Sequence, residues 1–225
     1  MRPSLGVIGN VTKEHFIKKV SERNAVPWHP RLVAADSHMS VLVPLLEMNS
    51  KPSLLFTKRS IRLNQHRGEV CFPGGKMEKD EDVEKTALRE TQEEIGIDPK
   101  SVDVWGRLKP VLTRNLKETV VPVVGCIDKD MIKPELVNRH EVQTLFSASL
   151  EELSQTARYT HFSTKMVDFI LPVFFTREFD VHWHNKEEFL PTEFRIWGLS
   201  AIMLHQLLLV MAPEEYKNNL KLVFY

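Results

Sequence analysis

Apolar residues fall in short runs separated by turn formers along the first half of the chain. Residues 39–46 (MSVLVPLL) and 53–59 (SLLFTKR) are brief and β-leaning, with the polar stretch 48–52 between them, which predicts a hairpin. A basic loop over 60–69 leads to an apolar triplet at 70–72 and then to a turn at Pro73, Gly74 and Gly75. The next segment changes period. A helix is expected from Asp80 or Asp82 to Ile95, with acidic residues at its positive end and Gly96 as a left-handed cap.

Further strands are predicted at 102–112 and 119–127, a helix at 149–156, an extended segment at 167–176 and a helix at 198–212. Residues 175–193 show no readable period. Near the N-terminus, Thr12 is placed to cap an amphipathic helix with Phe16, Ile17 and Val20 on one side. This order predicts an α/β protein, a mixed β-sheet with helices packed on its faces. Residues 196–212 are apolar for seventeen positions but include Ser200, His205 and Gln206 and end at Pro213, so a buried helix is expected rather than a membrane span.

Composition narrows the class. The 225 residues are 42% hydrophobic, enough for one well-buried core, and 30 basic residues balance 30 acidic ones. No broad electrostatic footprint for nucleic acid or an anionic membrane follows. Two cysteines, Cys71 and Cys126, and no CxxC pair argue against a disulfide scaffold and structural zinc, and for a reducing compartment. No repeat or low-complexity linker divides the chain. The expected organisation is an N-terminal extension over 1–37, a catalytic domain over 38–216 and a tail over 217–225. Arg2 and Lys13 without an acid in 1–13 resemble a weak mitochondrial presequence, although Glu14 and Glu22 dilute it, and a short structured extension is the other reading. The last residues, LKLVFY, are not a peroxisomal tripeptide of the S-K-L type.

The candidate chemistry lies in the first long helix. Glu90, Glu93 and Glu94 stand at i, i+3 and i+4, so a helix puts three carboxylates on one face. Like charges at that spacing destabilise a helix, and a hard divalent cation such as Mg²⁺ or Mn²⁺ would offset them while also holding phosphate oxygens.

The run from Gly75 to Ile97 resembles the Nudix box, G-x5-E-x7-R-E-U-x-E-E-x-G-U, in which U is a bulky aliphatic residue. Gly75, Glu81, Arg89, Glu90, Glu93, Glu94, Gly96 and Ile97 fit, and only Thr91 departs, at the first U. The resemblance implies a Nudix fold, an α/β/α sandwich, and hydrolysis by water of a diphosphate linked to another moiety, with Mg²⁺ or Mn²⁺ as cofactor. It implies Glu90 and Glu94 as principal metal ligands, Glu93 sharing the cluster and the carbonyl of Gly74 or Gly75 as a further ligand. Glu90 or a neighbouring carboxylate is the implied general base. Arg89 is implied to orient the cluster and pair with Glu81, while Gly75, Glu81 and Gly96 shape the loop and helix.

Upstream, residues 54–75 (LLFTKRSIRLNQHRGEVCFPGG) resemble the additional signature of the coenzyme A diphosphatase branch. Leu54, Leu55, Thr57, Arg59, Ser60, Leu63, Gly68, Phe72, Pro73, Gly74 and Gly75 match, and Asn64 stands where a basic residue is usual. Coenzyme A carries a 3′-phosphate beside its diphosphate, so its site needs extra cations. Lys58, Arg59, Arg62, His66 and Arg67 place five potential donors in ten residues, and Arg59, Arg62, His66 and Arg67 are the expected substrate-binding set.

Later blocks, among them 104–111, 119–125, 159–162, 171–174 and 196–199, resemble the animal mitochondrial type, and the likeness covers roughly residues 38–216. The implied reaction converts coenzyme A or acyl-coenzyme A to 3′,5′-adenosine bisphosphate and (acyl-)4′-phosphopantetheine. The competing expectations are another nucleoside diphosphate substrate, such as NADH or ADP-ribose, and a non-catalytic Nudix binding module. The expected partner is a small molecule, with no nucleic acid and no transmembrane span; the expected compartment is mitochondrial, with the cytosol as the alternative. Glu141 is a candidate distal carboxylate, His161 a candidate substrate contact or structural histidine, and Trp105, Trp197 and Cys71 are read as packing residues.

Overall fold

The computed structural model describes residues 7–24, 37–113, 118–163 and 168–216. The 217–225 tail and Arg2 lie outside the described residues. The described residues open with the small pair β1 (Val7–Ile8) and β2 (Val11–Thr12), followed by α1 (Lys13–Asn24). The Thr12 hydroxyl accepts the His15 N–H at 3.2 Å, as the capping argument expects. Phe16 and Val20 are buried, but Ile17 is 47% exposed and does not share their face. Ile8, Phe16 and Val20 join the same core as the rest of the fold, so residues of the expected extension pack directly onto the domain.

β3 (Ser37–Met48) and β4 (Lys51–Arg59) form the predicted hairpin, with Leu45 opposite Leu54. Asn49 and Ser50, at φ 50° and 60°, make its two-residue turn, because paired positive φ values match the twist of the strands. β5 (Val70–Cys71) pairs with β4, and β6 (Gly74–Lys76) pairs with β3. Gly74 and Gly75, expected in a turn, are therefore strand, since β3 offers their backbone a partner. After α2 (Val83–Ile95), the strand expected over 102–112 is split into β7 (Asp103–Arg107) and β8 (Val111–Leu112). Pro110, which has no N–H for a ladder, lies in the break.

β9 (Glu118–Cys126) runs parallel to β3, and every other pairing of the main sheet is antiparallel. The remaining elements are β10 (Val142–Ser149), α3 (Leu150–Gln155), β11 (Arg158–Ser163), β12 (Asp168–Thr176), β13 (Phe179–His184), β14 (Phe194–Ile196) and α4 (Gly198–Met211). The main sheet runs β13-β10-β4-β3-β9-β7, and β11-β12-β14 form a second one. Apolar pattern alone does not predict β10, because Gln143, Thr144 and Ser147 interrupt it. Within the sheet these polar residues are buried, and two of them are satisfied laterally: Thr144 bonds His184 and Ser147 bonds His182, each at 2.9 Å.

The sheet is covered on both faces, which is why β3 reads as a continuous apolar run. On one face Leu46, Leu55 and Leu145 pack with Ile95 of α2 and Ile97 just beyond it. On the other, Val43, Leu45, Leu54, Phe56 and Phe146 pack with α1 and α4. α4 buries most of its surface; His205 meets the Tyr216 hydroxyl at 2.9 Å, and Gln206 bonds the Lys109 backbone N–H and carbonyl. Among the described residues no helix is long and apolar enough to cross a membrane. Trp105 is core, as expected, whereas Trp197 is 46% exposed with the Arg195 guanidinium over its ring. His161 lies exposed on β11.

Candidate active site

The helix that carries the glutamates is fixed at both ends by local chemistry. The Asp82 carboxylate accepts the Glu84 and Lys85 N–H groups at 2.9 Å, and Gly96, at φ 73°, donates its N–H to the Gln92 carbonyl. Thr91, the one departure from the family pattern, is buried and turns its hydroxyl back to the Ala87 carbonyl at 2.6 Å. Ala87 meets Leu42 and Val123, so the helix sits down closely on the sheet. β6 is paired with β3 at the sheet and comes close to the helix because it begins with two glycines. A Cβ on Gly74 would lie 2.5 Å from the Val41 Cα, and one on Gly75 would lie 2.5 Å from the Glu90 carboxylate carbon.

Arg89 ties the acids together. Its Nε donates to Glu81 Oε1 at 2.8 Å, Nη1 to Glu90 at 3.0 Å and to Glu93 at 3.2 Å, and Nη2 to the Lys76 carbonyl at 3.0 Å. Glu81 also accepts from the Thr86 hydroxyl and the Glu78 N–H. The Arg89 hydrogen bonds hold the Glu81 carboxyl down at about 2, and the same bonds raise the arginine. The pair expected between Arg89 and Glu81 is present.

The three glutamates do not stand alike. Glu94 is buried, with a side chain 4% exposed, and burial pushes its carboxyl up to about 8 against the opposing pull of Arg59. Glu90 is raised first by burial, with Arg89 working against the shift and the charges of Glu93 and Glu141 adding to it. Glu93 has a side chain 59% exposed, and its carboxylate is engaged by Arg89. Glu141 acts electrostatically on both Glu90 and Glu94, and its carbonyl accepts the Ser60 N–H at 2.7 Å, which brings the start of β10 against the basic loop.

Of the four basic residues expected at the substrate, one reaches the glutamates. Arg59 Nη1 lies 3.5 Å from Glu94 Oε1. Arg62 bonds Glu187 at 2.9 Å on the surface, His66 pairs with Glu69 at 3.1 Å, and Arg67 is exposed, so these three stand on the rim. The loop is closed at its base by the Arg59 and Glu69 backbones, with the Arg59 N–H donating to the Glu69 carbonyl at 2.9 Å. Lys58 is aligned across the sheet with Thr144, and Thr144 with His184. Strand alternation therefore turns Lys58 to the face away from Arg59. Cys71 lies 3.2 Å from the Thr57 hydroxyl, and burial pushes its thiol up to about 12, which favours the packing role expected of it.

Sequence reasoning did not anticipate Glu187, which latches the basic loop, or Phe189 beside it, 79% exposed. Both belong to the stretch without a readable period, and only the pairing of β13 with β10 brings them to this end of the sheet.

The donor set fits a hard divalent cation. Glu94 Oε2 is buried without a hydrogen-bond partner, Glu90 and Glu94 are raised partly by each other or by neighbouring carboxylates, and glycine leaves the Gly75 backbone open to close approach. Among the described residues, no three His, Cys, Asp or Glu side chains already converge as a ligand group.

Comparison with known proteins bears on the whole chain. The NUDIX domain model matches residues 36–170. The chain is 45% identical over 221 residues to Nudix hydrolase 3 of Caenorhabditis elegans, covering 96% of this chain and 92% of the relative. It is 41% identical over 198 residues to the mitochondrial coenzyme A diphosphatase NUDT8 of Mus musculus, covering 84% and 85%. Over 118 residues it is 43% identical to the peroxisomal coenzyme A diphosphatase NUDT7 of Mus musculus, covering 52% and 49%. The buttressed acid helix is thus set in a chain that matches the domain over most of its length, and the protein belongs to the Nudix hydrolase family.

Proposed function

We propose that this Nudix hydrolase cleaves the diphosphate of coenzyme A or acyl-coenzyme A, giving 3′,5′-adenosine bisphosphate and 4′-phosphopantetheine or its acyl form. The observation that carries the proposal is the meeting of the two sequence features at one point. Arg59, from the segment that resembles the coenzyme A signature, stands 3.5 Å from Glu94 of the acid helix. The likeness to a coenzyme A diphosphatase at 41% identity supports the same reading.

Glu90 and Glu94 are the residues to hold a Mg²⁺ or Mn²⁺ ion, with Glu93 in the same cluster and Glu141 a further acid whose charge acts on both. When bound, the ion supplies charge neutralisation for the diphosphate oxygens. Glu90, whose proton affinity burial raises, acts as the carboxylate and takes the proton of the attacking water. The water oxygen bonds to phosphorus while the bridging P–O bond breaks, the other phosphate leaving with the bridging oxygen. Arg89 holds Glu90 from the side, fixed in turn by Glu81 and the Lys76 carbonyl. Glu93 serves the cluster by completing the hold on Arg89. Arg59 binds substrate phosphate at the inner edge, and Arg62 and Arg67 present charge, and His66 a ring nitrogen, at the rim, where the 3′-phosphate is bound. A mitochondrial location is proposed with this activity, in keeping with the mitochondrial relative.

Product analysis with Mg²⁺ or Mn²⁺ across coenzyme A, acyl-coenzyme A, dephospho-coenzyme A, NADH and ADP-ribose tests the proposal. Adenosine bisphosphate from coenzyme A is expected. Its absence from every coenzyme A species overturns the activity, and equal turnover of dephospho-coenzyme A overturns the 3′-phosphate site.

A further inference from the structure

We propose that Arg59 is a placeholder cation at Glu94, one that a divalent metal ion must displace and that then turns to the phosphate of the substrate. The contact between the two residues is poorly made for a permanent ion pair. Its closest approach is 3.5 Å, long for a charge-assisted hydrogen bond. Each partner keeps a buried atom that nothing in the described structure satisfies, Nε on Arg59 and Oε2 on Glu94. A buried pair is stable only when its remaining donors and lone pairs are satisfied as well, and here both sides fall short.

Both unmet atoms are resolved by one exchange. Glu94 completes its coordination on a cation, and Arg59 completes its fork on a phosphate, two of whose oxygens the planar guanidinium engages at once. Arg59 is free to make the move because it is the last residue of β4, at the mouth of the basic loop, with a side chain 25% exposed. Glu94 stays behind, since its side chain is 4% exposed and its backbone is fixed on the helix, with the carbonyl accepting the Asn138 N–H at 2.9 Å. Arg59 therefore couples metal to substrate: a cation at Glu94 releases the arginine that the anion needs, and the anion keeps that arginine from returning. Linkage requires each ligand to tighten the other by the same factor. This role rests on the metal-dependent reading above but not on the identity of the substrate.

The test is Mg²⁺ binding to the intact protein by calorimetry at about pH 9.5, well above the raised Glu94 carboxyl, with no nucleotide present. Arg59→Gln removes a positive charge that competes with the ion, and Mg²⁺ is expected to bind about tenfold or more tightly than to the parent protein. The tightening of Mg²⁺ by 3′,5′-adenosine bisphosphate, expected in the parent, should fall sharply in the variant. Unchanged or weaker Mg²⁺ binding in Arg59→Gln overturns the proposal. Should that variant fail to fold, the parent protein decides the matter: saturating Mg²⁺ must shift the Arg59 Nε–H resonance in a ¹⁵N-correlated spectrum, and an unmoved signal overturns the exchange. If the parent hydrolyses coenzyme A while Arg59→Gln leaves Mg²⁺ binding unchanged, only the placeholder role is lost. If coenzyme A is not a substrate but Mg²⁺ binding tightens, the substrate assignment is lost and the exchange stands.

Discussion

Gly75→Ala isolates the geometry of the site from its charges. The position lies in β6 opposite Ser40, and Gly75 is not among the glycines with positive φ, so alanine meets no backbone strain there. What it meets is Glu90. An added Cβ would stand 2.5 Å from the carboxylate carbon and 2.6 Å from Oε2, while ordinary contact begins at 3.4 Å. The carboxylate must retreat by about 1 Å, a displacement that costs on the order of 10²-fold when reacting groups are misplaced by that much. The stability cost is small by comparison. Glu90 turns off its preferred rotamer at about 0.5–1.5 kcal/mol, and its 3.0 Å bond from Arg89 weakens. Steady-state hydrolysis of coenzyme A with Mg²⁺, paired with a thermal melt, should show kcat falling roughly 100-fold with only a few degrees lost in Tm. Activity within about threefold of the parent would refute the argument, because catalysis would then not depend on where the Glu90 carboxylate stands.

Other outcomes follow from the same structure. Glu90→Gln should abolish turnover while leaving the fold intact by circular dichroism, because the amide retains the side chain's shape but not its charge. Gly96→Ala should lower stability by about 1–3 kcal/mol in urea unfolding, since its φ of 73° disfavours a Cβ and that atom would collide with Leu136. His205 is held near 4, first by burial and then by the Arg23 charge, so the unfolded chain takes up a proton that the folded one refuses. Stability should therefore fall as pH drops from about 6.5 toward 4, by up to about 3 kcal/mol, and His205→Gln should flatten that slope. Glu94 has the opposite sign: with its carboxyl raised to about 8, the folded protein binds the extra proton, and the stability this group lends declines as pH rises from about 4.5 to 8. Mg²⁺ should raise Tm more at pH 8.5 than at pH 6, and a chelator should remove both that gain and the activity. Equal Tm gains at the two pH values would take Glu94 out of the proposed ligand set.

Periodicity made the hairpin, the acid helix and the apolar C-terminal helix legible, because each depends on contacts between near neighbours or on one continuous buried face. Spacing made the glutamate row and its glycine cap legible for the same reason, both lying within one helix, whereas the Arg89–Glu81 pair was legible only through the resemblance to the Nudix box. β10 stayed hidden, since its polar residues are satisfied by strands distant in sequence. Ile17, placed beside Phe16 and Val20 by the helical pattern, is exposed, and Trp197, read as core or interface packing, is exposed and so is not core.

Three carboxylates on one helix and a basic loop ahead of it are already written in the chain, since helix period and turn chemistry are local. How those groups divide the work is set by the fold. Burial against the sheet separates Glu94 from the exposed Glu93, although they are adjacent in the chain. Alternation along β4 sends Arg59 to the acids and Lys58 to the opposite face. Charge and spacing are written residue by residue, whereas desolvation and the choice of partner arise only when distant strands close around them.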